Sequence, residues 1–436
     1  MFANGATRRR ANTLPNSSNC SSDETLDKDI RDVEEGRTQK AEKKIWAEKE
    51  GDDRYITLKE RLRHFTWAWF TLTMSTGGFS LLLSVQPHKF RKLMTLGTIV
   101  YIFDLVLFVS LCTAMITRFI LYPSSLRRSL TYPNESLFFP TFWLSFPTII
   151  GGMQNYGGDK VGDWLPVVLR VLYWIYCACT TLVAILQYWY LFTAKQLTVQ
   201  AMAPSWILPI FPAMLCGTLA SIVAKTQPYD QRMPIIVSGI AFQGLGMTVS
   251  ICMYAVLIAR LMEYGLPPPN ARPGMFICVG PPSFTALALI GMSKALPEGY
   301  SYFEDNPTAI VAVKALAVFT AIFLWALSFW WFAIAFISVL YGIKEMSFHL
   351  VWWAFVFPNT GFTIATIDIG EQLKSQGIQW VGSIMSILIF AMWTFVIVNH
   401  IRALVTKRMM MPGMDEDKGN ETDPVVADYQ SGRRAN

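Results

Sequence analysis

The residues in this sequence whose type and spacing could do chemistry are small, hydroxylated and helix-breaking. Thr73, Ser75 and Thr76 lead into a glycine pair, Gly77-Gly78. Gly280, Pro281 and Pro282 lead into Ser283, Phe284 and Thr285. Phe357 stands before Pro358, with Asn359 and Thr363 just beyond. Hydroxyls and amides donate hydrogen bonds to an anion without a fixed charge. A proline pair that opens a half-helix leaves the next amides without intrahelical acceptors, at an end that carries partial positive charge. The chemistry on offer is soft anion recognition, strong enough to admit a carboxylate and weak enough to release it. A plainer use of the same residues is close helix packing through small side chains. Pro358 restricts Phe357, so its ring is a candidate hydrophobic gate or, equally, an aromatic packed between helices.

Catalysis finds no comparable support. His64, His88, His349 and His400 lie at helix ends or in loops, with no HxxxH or HExxH spacing. Paired carboxylates do not occupy mid-apolar positions; Asp368 and Glu371 fall near a helix end. Six of the seven cysteines, Cys112, Cys177, Cys179, Cys216, Cys252 and Cys278, lie in apolar stretches, and Cys20 lies in the tail. Their spacing matches neither a metal site nor a disulfide framework. No enzyme activity, metal or cofactor is expected.

The elements that must position these residues are apolar and long. The chain has 436 residues, of which 53% are hydrophobic and 16% charged, with mean hydropathy +0.34. Ten stretches each reach the roughly 20 residues that span a bilayer. Glycine and proline fall in every second one. Stretches one, three, five, seven and nine (about 66–86, 136–156, 203–224, 274–293 and 347–369) contain 17 of them. The intervening stretches (about 98–121, 167–192, 235–262, 308–340 and 383–405) contain 3. Broken backbone at membrane depth is tolerated only against protein or a watery cavity. The alternation predicts an all-α membrane protein with ten transmembrane helices as five hairpins. Five kinked inner helices would line a central pore.

Residues 1–62 read as a polar cytosolic tail, within which Asp29–Glu50 can form a charged helix. Residues 63–406 form the transport domain and 407–436 a disordered cytosolic tail. The net charge of +6, with no basic block beyond the membrane flanks, gives a nucleic-acid partner no support. Lys59, Arg61 and Arg63 before the first helix, and Arg402, Lys407 and Arg408 after the tenth, place both termini in the cytosol. The short loops lean slightly the other way. In this orientation the sequon at Asn134 stays unglycosylated. Among charges within the stretches, Arg118 and Arg170 lie near helix ends and can snorkel. Asp104, Arg170 and Lys314 fall toward the outer end of straight helices, where an ion pair would tie the outer ring; Arg170 is also a candidate substrate contact.

RLRHFTWAWFTLTMSTGG, APSWILPIFPAMLCG, AFQGLG, ARPGMFICVGPPSFTALALI, WWAFVFPNTGFTIATIDIG and MPGMDEDKG follow one another along the chain. In these segments it resembles the fungal malic acid (C4-dicarboxylate) transporters of the tellurite-resistance/dicarboxylate transporter family, which extends to plant slow-anion channels. The resemblance implies five hairpins around a pore, often a homotrimer with one pore per subunit, and a pore-occluding phenylalanine on helix nine, here Phe357. It implies plasma-membrane transport of malate, succinate or fumarate, channel-like or proton-linked. A sulfite or other small-anion exporter of the same fold is the alternative. Substrate contacts are expected at Thr73, Ser75, Thr76, Gly280, Ser283, Phe284, Asn359, Thr363 and Arg170.

Overall fold

The computed structural model describes residues 57–158, 161–194 and 197–410, and one compact unit begins at Leu58. The charged segment Asp29–Glu50, Cys20 and the MPGMDEDKG motif lie outside the described residues. Helices account for the architecture, with no strand among the described residues. We number the long ones α1 (Phe70–Ser84), α2 (Leu93–Leu121), α3 (Phe139–Gly157), α4 (Trp164–Ala194), α5 (Phe211–Val223), α6 (Tyr229–Tyr264), α7 (Gly280–Lys294), α8 (Pro307–Gly342), α9 (Phe357–Gln372) and α10 (Gln376–Val405). Eight segments are long and apolar enough to cross a membrane. They comprise the five even-numbered helices, together with α3, α7 and α9 and their leading turns. Residues Phe211–Thr226, covering α5, form a shorter apolar helix, and α1 has 15 residues.

Helix breakers shape the odd-numbered segments in one recurring way. Four of them open with a 3₁₀ run and then change to α-helix: Trp67–Trp69 before α1, Pro204–Ile207 before α5, Pro269–Val279 before α7 and Leu350–Phe355 before α9. Pro212, Pro281, Pro282 and Pro358 sit at the first turn of their α-helices, where a missing N–H costs nothing. The sequence predicts a break at Gly280 that ends one half-helix and starts another, with Pro281 and Pro282 opening the second. In the structure a 3₁₀ run ends at Val279 and α7 opens at Gly280 with both prolines in its first turn, without an intervening loop.

Burial separates the two sets. Within the Pro269–Lys294 segment 94% of the hydropathy window is buried, against 22% for Pro307–Glu345 and for α10. The even-numbered helices leave Ile120, Phe192, Phe323 and Leu388 exposed, an apolar surface suited to lipid rather than water. The three glycines of α6 run against the trend. Two of them have a packing reason, since a Cβ on Gly239 would lie 2.6 Å from that of Ala220, and one on Gly246 would strike Met214. Both neighbours belong to α5, so glycine on the outer helix buys its close approach.

Arg118 and Lys314 find local partners, whereas Asp104 has none for either carboxylate oxygen among the described residues. Arg118 and Glu135, both buried, form a paired contact with Nη1–Oε1 at 2.6 Å and Nη2–Oε2 at 3.3 Å. Lys314 pairs with Glu298 at 3.3 Å rather than with Asp104. Asp104 is fully buried and packs beside Gly77 and Thr148.

Candidate functional site

A cavity of about 110 Å³ lies among the odd-numbered helices. Every residue that lines it comes from α1, α3, α5, α7 or α9, or from the turn that follows α1 or α5. Of these helices α1, α5, α7 and α9 are otherwise packed on nearly all sides, whereas α3 leaves Phe142, Trp143 and Phe146 half-buried. Among the few residues of those four helices that are not buried, Leu81, Ile222, Ile364 and Asp368 face this cavity. Its volume suits a few waters or one small organic anion.

Aromatic rings form one end. Phe284 and Phe357 line the cavity and stack with centroids 5.0 Å apart. Phe211 sits behind them, 5.8 Å from Phe284 and 6.1 Å from Phe357. Each ring rests on a glycine of the next odd-numbered segment. A Cβ on Gly280 would lie 2.5 Å from the Phe211 ring, and one on Gly361 would lie 2.8 Å from the Phe284 ring. A Cβ on Gly78 would lie 3.1 Å from the Phe357 ring. Glycine at these positions admits the rings, and a methyl group would displace them. Phe357 is 1% exposed, so this end is closed.

Charge gathers at the other end. Lys225 follows α5, Lys294 ends α7, and Asp368 lies in the last turns of α9; all three line the cavity. Lys294 Nζ lies 3.3 Å from Asp368 Oδ1 and 2.5 Å from Glu371 Oε2. Lys225 and Glu371 are exposed, which makes this the open end. Between the two ends lie Thr148, Thr218, Ser221 and Thr360. Their hydroxyls donate to Ser145 O, Phe284 O, Thr218 O and Val356 O at 2.8, 3.4, 2.7 and 2.9 Å. In that arrangement they present lone pairs to the cavity, and the lysines and the Asn155 amide are its donors.

The expected substrate contacts divide. Phe284 and Phe357 line the cavity together. Thr73 instead pairs with Ser145 Oγ at 2.7 Å, Ser75 donates to Trp353 O at 3.2 Å, and Thr76 accepts from Trp393 Nε1 at 3.2 Å. Ser283 Oγ lies 2.6 Å from Val279 O and 2.9 Å from Ser328 Oγ. Asn359 donates to Phe355 O, and Thr363 to Asn359 O. Gly280 is covered by Phe211. Arg170 lies on α4, within Coulombic range of Asp230 and outside the cavity lining. Lys225, Lys294 and Phe211 were not singled out from sequence. The lysines each sit just past the end of an apolar stretch, a position that otherwise reads as a solvated flank.

A family model described as Voltage-dependent anion channel (SLAC1) matches residues 64–401. The chain belongs to this anion-channel family. It is 37% identical over 366 residues to the malic acid transport protein of Schizosaccharomyces pombe, covering 83% of this chain and 84% of that one. A putative malic acid transport protein of the same organism is 35% identical over 365 residues, covering 83% and 85%. The sulfite efflux pump SSU1 of Trichophyton rubrum is 25% identical over 350 residues, covering 80% and 93%. Membership makes the chain a multi-pass membrane protein of an anion-transport family, and the eight apolar segments agree with it.

Proposed function

We propose that this chain conducts C4-dicarboxylates, namely malate, succinate and fumarate, across the plasma membrane. The path is a central pore among α1, α3, α5, α7 and α9. Ten spans in five hairpins complete the transport domain over 63–406, with α1 and α5 extended to membrane length by their 3₁₀ leads. Both termini are cytosolic, and the assembly is a trimer with a pore in each subunit. The observation that carries this reading is the cavity itself. Its lining draws on all five odd-numbered segments, with an aromatic floor at one end and lysines at the other. The likeness to malic acid transport proteins supplies the substrate class.

Phe357 is the gate. Its ring fills the floor with Phe284, and rotation away from Gly78 would open the path toward the 3₁₀ leads. No lysine or arginine lines the floor, so a dianion passing there meets no fixed charge able to trap it. Conduction is channel-like, driven by the electrochemical gradient.

Purified protein in proteoliposomes tests the reading. Radiolabelled malate should enter faster than radiolabelled sulfite, and a reversal potential measured across a pH gradient should follow malate alone. Faster sulfite flux would favour the exporter function that the Trichophyton relative carries. A reversal potential that tracks pH would replace channel-like conduction with proton coupling.

A further inference from the structure

Two cations and two carboxylates share the open end of the cavity, and their pairing is lopsided. Lys294 holds both carboxylates, at 3.3 Å from Asp368 and 2.5 Å from Glu371. The Lys225 side chain lines the same cavity within Coulombic range of all three, yet makes no hydrogen bond or ion pair among the described residues. Asp368 and Glu371 stand three residues apart on α9 and so share a face. They offer two carboxylates to one ammonium, as a short dicarboxylate would. The neighbouring hydroxyls have already given their protons to main-chain carbonyls. An incoming anion therefore finds its charged donors in the two lysines, one of them taken, beside the Asn155 amide, which donates to Ser84 Oγ.

We propose that Asp368 and Glu371 are tethered stand-ins for the substrate. They occupy Lys294 while the vestibule is empty, and a dicarboxylate displaces them by spanning Lys294 and Lys225. The proposal rests on the reading of the chain as a dicarboxylate transporter. A bare ammonium in this half-shielded mouth would attract a carboxylate more strongly than one in bulk water, because the effective dielectric constant there is lower. Two such contacts would hold a dianion too long for transport. Exchange with resident carboxylates makes entry and exit nearly balanced, which a conducting site requires. Glu371 has the freedom to leave, since its side chain is 63% exposed. A monoanion replaces only one of the two resident carboxylates, so the exchange favours dianions.

The test uses the full chain in proteoliposomes, with radiolabelled succinate as the dianion and nitrate as the monoanion. In the double variant Asp368→Asn, Glu371→Gln the half-saturating succinate concentration should fall roughly tenfold, the equivalent of about 1.4 kcal/mol of lost competition. Its maximal succinate rate should fall as release slows, and nitrate flux should move by less than twofold. Lys225→Gln should raise half-saturation for succinate by a similar factor. Glu371→Gln alone changes an exposed side chain and keeps the packing, and it should still lower half-saturation about threefold. Unchanged or higher half-saturation in Glu371→Gln, with succinate flux retained, overturns the stand-in role. A wild-type protein that carries nitrate or sulfite but no succinate overturns the dicarboxylate reading, and this proposal with it.

Discussion

At the scale of single residues, the floor of the cavity is set by which side chains are missing. Three phenylalanines, Phe211, Phe284 and Phe357, each rest where Gly280, Gly361 and Gly78 leave room. Phe357→Ala removes the ring nearest the path. Displacing a buried phenylalanine costs on the order of 1.5–3 kcal/mol. Each ~1.4 kcal/mol of barrier is about tenfold in rate, so malate flux into proteoliposomes should rise roughly ten- to hundredfold. Unchanged flux in a well-folded variant would remove Phe357 as the gate. Gly361→Ala works in the opposite sense, because its methyl group meets the Phe284 ring at 2.8 Å. Overpacking of this kind costs about 1–3 kcal/mol. Its Tm in detergent should fall, and most of that loss should vanish when Phe284 is already alanine. Additive losses would show that the two residues do not meet. The hydroxyls around this floor were the part of the site least legible in sequence. Thr73, Ser75 and Thr76 cover three faces of a helix that is buried almost all round. Such a helix has no polar stripe to give its phase. Its residue types thus predict a polar interior without telling which hydroxyl meets the cavity and which meets a neighbour such as Ser145.

At the scale of elements, proline and glycine mark the buried helices because only a protein-lined environment tolerates broken backbone. This much could be read directly: the segments rich in Pro and Gly are those in which burial reaches 94%, and the unbroken ones fall to 22%. How each break is built could not. Gly280-Pro281-Pro282 marks where the second half opens, but that the first half is a 3₁₀ run and not an α-helix is left to packing. Partners across elements were equally hidden, since pairing depends on which helix ends meet. Arg118 reads from sequence as a snorkelling side chain, but it turns inward to Glu135 in the link before α3. Breaking a buried pair from one side leaves an uncompensated charge and costs about 3–5 kcal/mol, whereas replacing both partners by apolar residues is often neutral. Glu135→Gln should therefore lower Tm sharply, and Arg118→Met, Glu135→Leu should restore much of it. A Glu135→Gln protein as stable as the parent would show that the pair does not tie α2 to the approach of α3.

At the scale of the whole molecule, the odd-numbered helices share one direction, with their C-terminal ends gathered around the charged mouth. With the termini in the cytosol, as proposed, this mouth faces outward. The same picture narrows, without removing, the lean of the short-loop lysines and arginines against the positive-inside rule. Two of the basic residues that this orientation puts outside, Lys225 and Lys294, line the cavity. If the vestibule binds anions as proposed, these two lysines serve the site, and their weight in a topology count misleads. A cysteine at position 225, in a chain whose own cysteines have been replaced, should react in intact cells with a membrane-impermeant thiol reagent. Added malate should slow that reaction by occupying the vestibule. In the same cells Asn134, exposed in the short helix Pro133–Ser136 at the opposite end, should carry no glycan. Reaction at 225 only after permeabilisation, or a glycan on Asn134, would turn the molecule over and make the lysine mouth its cytosolic entrance.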